Sequence, residues 1–432
     1  MPPADAIAAM PTLVEHPLRR ALADEMHARP FELLRPPLRI SHLAVTAGED
    51  GRAHLEALCL RHGLAAPEPG AIHFSVELAG LRLRWERHTE FSSFTLYRFG
   101  AFEAPFDGTA LDLLPEDWLA GLPGRVVVAA HLALDGVRRS AEDLSAAFAG
   151  HSLIGATLAG GAAEAFTDLH LHGDGFSRVL IYDQGLTPGQ AGRLTQRLLE
   201  IETYRVLTLL ALPLARDASA RLAGVGPDLA AIMAGLAEPD EGATADRELL
   251  ARLTALAAQV EQLAAANSFR FSAAKAYGAL VWKRVEELRE SRIAGMQTFS
   301  EALGRRFAPA INTIEHAADR TEALAQHVAR AGDLLRTRVD IALEEKNRDL
   351  LKSMNRRAAL QLRLQETVEG LSVVAISYYL LGLLGYTAKG LKAAGLHLDS
   401  DLTVLVGLPV VAGMVALGVR RLRKAIGGDE GH

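Results

Sequence analysis

One cysteine, Cys59, is all that the 432 residues contain. A lone thiol excludes an intramolecular disulfide and any cysteine-based metal cluster, and it fits a reducing compartment. A basic excess is also missing. The 46 Lys and Arg are outnumbered by 52 Asp and Glu, so nucleic acid is not expected as a partner. The first residues, MPPADAIAAMPTLVEHPLRR, lack the basic segment and apolar core of a signal peptide, and Asp5 and several prolines interrupt them. The first three hundred residues are therefore expected to stay unexported. Phosphate-binding loops are absent as well. Gly224-Val225-Gly226 has neither a third glycine nor a preceding strand pattern, and no P-loop occurs. Gly150-His151-Ser152-Leu153-Ile154 departs from a nucleophile elbow at its last position. No catalytic set is legible, and the chain leans away from being an enzyme.

What is present is apolar material, 49% of the residues, enough for two or three domains with at least one substantial core. Two uncharged runs lie near the end, Gly370 to Ala388 and Leu402 to Val419. Each is close to the roughly 20 residues that cross a bilayer as a helix, and neither carries the polar stripe of a core helix. Arg356, Arg357 and Arg363 precede the first run, and Arg420, Arg421, Arg423 and Lys424 follow the second. In the connecting loop Lys389 and Lys392 are balanced by Asp399 and Asp401. Basic residues stay on the cytoplasmic side, so both termini are expected in the cytoplasm and the protein in the bacterial inner membrane. Pro409 and Gly413 in the second run suggest a kink or a close helix contact.

Upstream, residues 1–186 alternate strand-like and short helical patterns and predict an α+β domain. LRISHLAV, IHFSVELAG, LRLRWERH, SFTLYRF, RVVVAAHLAL, HSLIGATLA and SRVLIYD read as strands. Helices are predicted over Gly51–His62 and Ala141–Phe148, the latter capped by Ser140. Residues 187–240 form a helical connector that opens at Thr187-Pro188 and closes in the linker-like AEPDEGATAD. Residues 245–369 predict two long antiparallel helices forming a coiled-coil-like stalk. Leu249, Leu253, Leu256, Val260 and Leu263 recur at coiled-coil spacing, and Pro309 is expected to end or kink this helix. A second stripe, from Leu324 through Leu335, Leu343, Leu350 and Met354, runs unbroken into the first apolar run. Asn347 falls on that stripe, either to fix register or at a wet edge. Residues 370–419 complete a two-span hairpin and 420–432 a basic tail.

Several segments resemble a bacterial family of uncharacterised membrane-anchored proteins, domain of unknown function 3422. They are HPLRRALADEMHARPF, RHTEFSSFTLYRF, LEIETYRVLTLLALP and the run from RTRVDIALEEKNRD to YYLLGLLGY. The resemblance spans nearly the whole chain and implies a location but no activity. The layout is also similar to CorA-type magnesium channels, which are pentamers lined by their first span with a Gly-Met-Asn signature at its outer end. Here Leu384-Gly385-Tyr386-Thr387 offers only the glycine.

Three groups of residues are candidate sites. The phrase Leu78-Ala79-Gly80 followed by His88-Thr89-Glu90-Phe91-Ser92 repeats as Leu158-Ala159-Gly160 followed by His172-Gly173-Asp174-Gly175-Phe176-Ser177. This hints at a duplicated β unit whose two phrases could face each other across a pseudo-two-fold axis. His88, Glu90, His170, His172 and Asp174 could then hold a divalent cation, with His170, His172 and Asp174 sharing one face of a strand. The alternative is turn and strand-end residues of two similar hairpins. His27 and Arg29, beside Pro30, could contact an anionic ligand or fix a loop. Glu366, Glu369 and Ser377 share a helical face at the first span and could ring a pore mouth in an oligomer. Two functional readings follow. One is a CorA-like homo-oligomer that passes or senses cations, and the other a membrane-tethered scaffold or sensor whose hairpin only anchors.

Overall fold

The computed structural model describes residues 16–25, 31–46, 50–237, 243–393 and 400–426. The chain divides into two compact units, residues 1–239 with 249–332, and residues 240–248 with 333–432. His27 and Arg29 lie outside the described residues.

The first unit is built on a mixed sheet of nine strands: β1 (Leu38–Val45), β2 (His73–Leu78), β3 (Leu81–Arg87), β4 (Ser92–Phe99), β5 (Val126–Asp135), β6 (Ile154–Leu158), β7 (Ala163–Thr167), β8 (Ser177–Asp183) and β9 (Ser291–Arg292). Their order is β2-β3-β4-β1-β5-β8-β7-β6-β9. Two blocks, β1 to β4 and β5 to β8, each fold outward from a central antiparallel β1·β5 pair, so the strand order is duplicated. Strand direction is not: β1 pairs antiparallel with β4, whereas β5 pairs parallel with β8. Both Leu-Ala-Gly phrases are explained by turn geometry. Ala79 and Gly80 link β2 to β3, and Ala159, Gly160 and Gly161 begin the β6–β7 turn. All five have positive φ, the conformation that hairpins of this twist require.

Helices cover both faces of the sheet. On one face α2 (Asp50–Arg61) and α3 (Glu116–Ala120) bury Leu55, Leu58 and Trp118 against Leu83, Trp85 and Phe94. The neighbouring α4 (Ala141–Ala147) is capped by the Ser140 hydroxyl, which accepts from the Asp143 amide at 3.0 Å. Phe148, just beyond α4, packs with Ala133, Phe166 and Leu180. The opposite face is roofed by α5 (Pro188–Leu209), whose Leu194, Leu198 and Ile201 meet Leu38, Ile40, Leu132 and Ile181. Thr187 and Gln190 close a capping box at its start, with Pro188 in the first turn. A short α1 (Arg19–Glu25) lies near the beginning of the chain.

The helical part continues through α6 (Leu212–Arg221), α7 (Val225–Ala237) and α8 (Ala243–Glu287). Pro309 does not end α8, which stops at Glu287. The chain then turns at Arg289, in the left-handed region, pairs β9 with β6, and forms α9 (Phe299–Arg306) behind a Thr298–Glu301 capping box. Next comes α10 (Ala308–Ala393), 86 residues without a break. Within the first unit α8 and α10 run antiparallel. Ile311 lies against Gly278, and Ile314 and Ala317 cluster with Phe271 and Ala274, with Ala215 and Ala218 of α6 and with its N-cap Ala211.

In the second unit the end of α10 and α11 (Ser400–Ile426) contain the two described segments long and apolar enough to cross a membrane. They touch through small residues. Gly385 sits where a Cβ would be 3.3 Å from Val404, and Gly407 faces Leu384 and Leu381. Pro409 lies inside α11. Beyond Leu335 the stripe on α10 is uncovered: Leu343 is 54%, Leu350 63% and Met354 65% exposed.

Candidate functional site

Alternation in β3 produces a polar cleft. Leu81, Leu83 and Trp85 enter the core, so Arg82, Arg84 and Glu86 must emerge on the α5 face. On an open sheet they would be solvated. Here α5, Arg284 of α8 and the segment carrying Glu32 enclose Arg84 and Glu86 in a cavity of about 250 Å³, floored also by His42, Ser93, Thr95 and Tyr97. Charges pair at its rim and floor. Arg84 lies 2.8 Å from Glu86, Arg82 is 2.8 Å from Glu32, and Arg284 is bound by Glu200.

His42 is fixed in one tautomer. Its Nε2 is 3.1 Å from the Thr203 hydroxyl, which donates to the Leu199 carbonyl and so accepts from the imidazole. Nδ1 then accepts from the Thr95 hydroxyl at 2.9 Å. Burial lowers the His42 pKa to about 4, so the ring is neutral at pH 7. Burial likewise raises the Tyr97 and Tyr204 phenols above their ordinary range.

A second cluster lies on the other face of the sheet. The loop between β7 and β8 brings His170 and His172 beside Asp168 and, from the loop before β6, His151. His151 Nδ1 is 2.7 Å from Asp168 Oδ2. His172 Nε2 is 3.0 Å from the same oxygen, and its side chain is almost fully buried. Burial, then Arg178, holds the His172 pKa down. His170 Nδ1 is 2.8 Å from the Asp168 carbonyl oxygen.

The residues singled out from sequence are distributed as follows. His170, His172 and Asp174 lie in a loop and not on a strand, because Asp168 and the left-handed Leu169 end β7. Asp174 turns to Arg178 at 3.2 Å and accepts from the Phe176 amide, while His170 and His172 turn to Asp168. His88 stacks on Phe91 at the β3–β4 turn and lines the cleft. Glu90 pairs with Arg270 of α8 at 2.8 Å. The β3–β4 and β7–β8 turns are about four strand spacings apart, roughly 19 Å, and His88 and His172 lie on opposite faces. The two phrases therefore do not meet. Glu366 is exposed, whereas Ser377 is buried, so the three candidate pore residues do not share one exposure.

A family model described as a protein of unknown function, DUF3422, matches residues 14–426. The chain belongs to that family. No curated protein matches it. The family description brings no activity, so the cleft and the histidine cluster stand on their geometry. Sequence reasoning missed His42, Arg84, Glu200 and Arg284, since only α5 and α8 make a site of them. For Asp168 a signal existed: Asp168, His170, His172 and Asp174 alternate in the sequence.

Proposed function

We propose that the protein is a membrane-tethered sensor, held at the bacterial inner membrane by its two-helix hairpin with both termini in the cytoplasm. Its α+β domain receives a small polar ligand in the cleft beneath α5. The cleft floor carries this reading. Arg84 is only 7% exposed yet faces an open cavity, together with Glu86, Glu200 and the neutral His42. Their charges are paired with one another, Arg84 with Glu86 and Arg284 with Glu200, and the space left between them is lined by polar groups that suit a small polar occupant. The test is thermal unfolding of the full chain in detergent with amino acids, dicarboxylates and polyamines. One class is expected to raise the melting temperature saturably, and Arg84→Met to abolish the rise. No rise with any class, or a rise that survives Arg84→Met, removes the cleft from the function.

One feature supports a second reading, a CorA-like homo-oligomer that passes or senses cations. Ser372, Tyr379 and Tyr386 recur every seventh residue along the first span, with both tyrosines more than 70% exposed. A phenolic hydroxyl in hydrocarbon requires a partner. The uncovered stripe at Leu343, Leu350 and Met354 also asks for a partner, which a second copy would supply. Native mass spectrometry of the full chain separates the readings. A closed ring makes Glu366, Glu369 and Tyr379 the residues to vary in an ion-flux assay. A monomer or dimer leaves the hairpin as an anchor.

A further inference from the structure

We propose that His151, His170 and Asp168, with His172 packed beside the carboxylate, form a binding site for a divalent transition-metal ion of the zinc class, distinct from the cleft. Ligating atoms of His151, Asp168 and His170 all lie within 4.8 Å of one another. Two imidazoles and one carboxylate, with a fourth position left for water, are a donor set suited to Zn²⁺ and its neighbours, and a poor one for Mg²⁺ or Ca²⁺.

The hydrogen bonds already orient the donors. A carbonyl oxygen only accepts, so His170 Nδ1 carries a proton towards the Asp168 main chain and leaves Nε2 with its lone pair. His151 Nδ1 and Asp168 Oδ2 face each other at 2.7 Å, and an ion bound between them takes the place of the proton they share. His172 secures the carboxylate. Its side chain is 3% exposed, and Nε2 lies 3.0 Å from Asp168 Oδ2. Asp168 Oδ2 is 2.7 Å from His151 Nδ1, a spacing that a small outward shift brings to the roughly 3.3 Å between ligand atoms around a tetrahedral ion with bonds of about 2.0–2.1 Å.

The surroundings fit as well. Asp168 is fully buried while the His151 side chain is 39% exposed, so the charge sits at the bottom of a site that opens to solvent. Phe148 lies beside His172, giving one wall an apolar lining that strengthens a charge–charge contact. His170 is reached through Leu169 at φ 57°, a conformation that turns the ring back over Asp168.

The test uses the full, tag-free chain in detergent, stripped with a chelator and titrated with Co²⁺ and then Zn²⁺. One equivalent of Co²⁺ is expected, with the visible absorption of a tetrahedral site, displaced by one equivalent of Zn²⁺. His170→Gln and His151→Gln, both at solvent-accessible positions, are expected to weaken binding at least about ten-fold, and the exposed His62→Gln to leave it unchanged. Absence of saturable Co²⁺ and Zn²⁺ binding would overturn the site and leave a structural His–Asp pair. Undiminished binding in the His151→Gln/His170→Gln double variant would overturn it equally.

Discussion

Gly192→Ala offers a direct reading of how tightly α5 closes the cleft. A helix-interior Gly→Ala change ordinarily stabilises by about 1 kcal/mol. Here a Cβ at position 192 would fall inside the contact shell of the Glu32 carbonyl oxygen and 2.9 Å from its carbonyl carbon. The oxygen is the closer of the two atoms and governs, so main chain must move by more than about 1 Å to restore contact distance. Neither side yields easily. The Glu32 segment is tied to α5 by Leu34 N donating to Pro188 O at 3.1 Å and to β3 by the Glu32–Arg82 pair. With main chain on both sides the cost falls at the upper end of overpacking, about 3 kcal/mol, and the helix gain of about 1 kcal/mol leaves a net loss of about 2 kcal/mol. At roughly 2–4 °C per kcal/mol, the melting temperature should fall by roughly 4–8 °C. Gly189→Ala is the control, because its nearest atom is the Phe31 ring edge at 3.3 Å, a side chain that can rotate. Thermal unfolding of both variants, followed by circular dichroism in detergent, decides the matter. If Gly192→Ala melts at or above the wild type, the segment bearing Glu32 is not seated on α5, and the cleft loses that wall.

Acid should destabilise the first unit through His42. Its pKa falls from 6.5 unfolded to about 4 folded, so the stabilisation is fully present above pH 6.5 and is lost as pH falls from 6.5 towards 4. That drop is worth on the order of 3 kcal/mol. Urea titrations at pH 7 and pH 4.5 should show it, and His42→Gln should remove only part of the difference, leaving the similar contribution of His131, which burial also lowers to about 4. Glu90→Gln should cost about 2–3 kcal/mol in the same titration, because the Arg270 partner is only 20% exposed, whereas Arg61→Gln, at a pair more than half exposed, should leave the midpoint unchanged. A chain ending at residue 369 should move from the membrane pellet to the soluble fraction after alkaline extraction, and persistence in the pellet would remove the hairpin as the tether.

Much of the fold is legible where local pattern and local chemistry agree. β1, β3, β4 and β8 coincide with alternating or continuous apolar runs, and the Ser140 and Thr187 caps mark the starts of α4 and α5. The failures share a cause. β7, Ala163–Thr167, is short and alanine-rich, so nothing local separates it from helix, and only pairing between β6 and β8 makes it a strand. Pro309 is the louder breaker in the sequence, yet α8 ends at Glu287, and Gly295 and the Thr298–Glu301 box punctuate the turn that follows. His88 and Glu90 lie at the β3–β4 turn, yet Arg284, which lines the same cleft, and Arg270, which pairs with Glu90, come from a helix nearly two hundred residues away. Periodicity tells which side chains share a face, and it is silent on what the rest of the chain brings opposite.

The 86-residue helix also imposes a timetable on synthesis. The core shared by α6 and α8 is complete only when Ile314 and Ala317 arrive, and the first unit takes α10 as far as Gly332. Only about forty residues then separate that point from the apolar run beginning at Gly370. At roughly 5–20 residues per second, a ribosome covers them in about 2–8 s. For the tether proposed above, the domain must therefore finish folding at nearly the moment its helix is handed to the bilayer. Slow translation between residues 332 and 370 would favour the folded domain, and fast translation would deliver the hairpin to the membrane first.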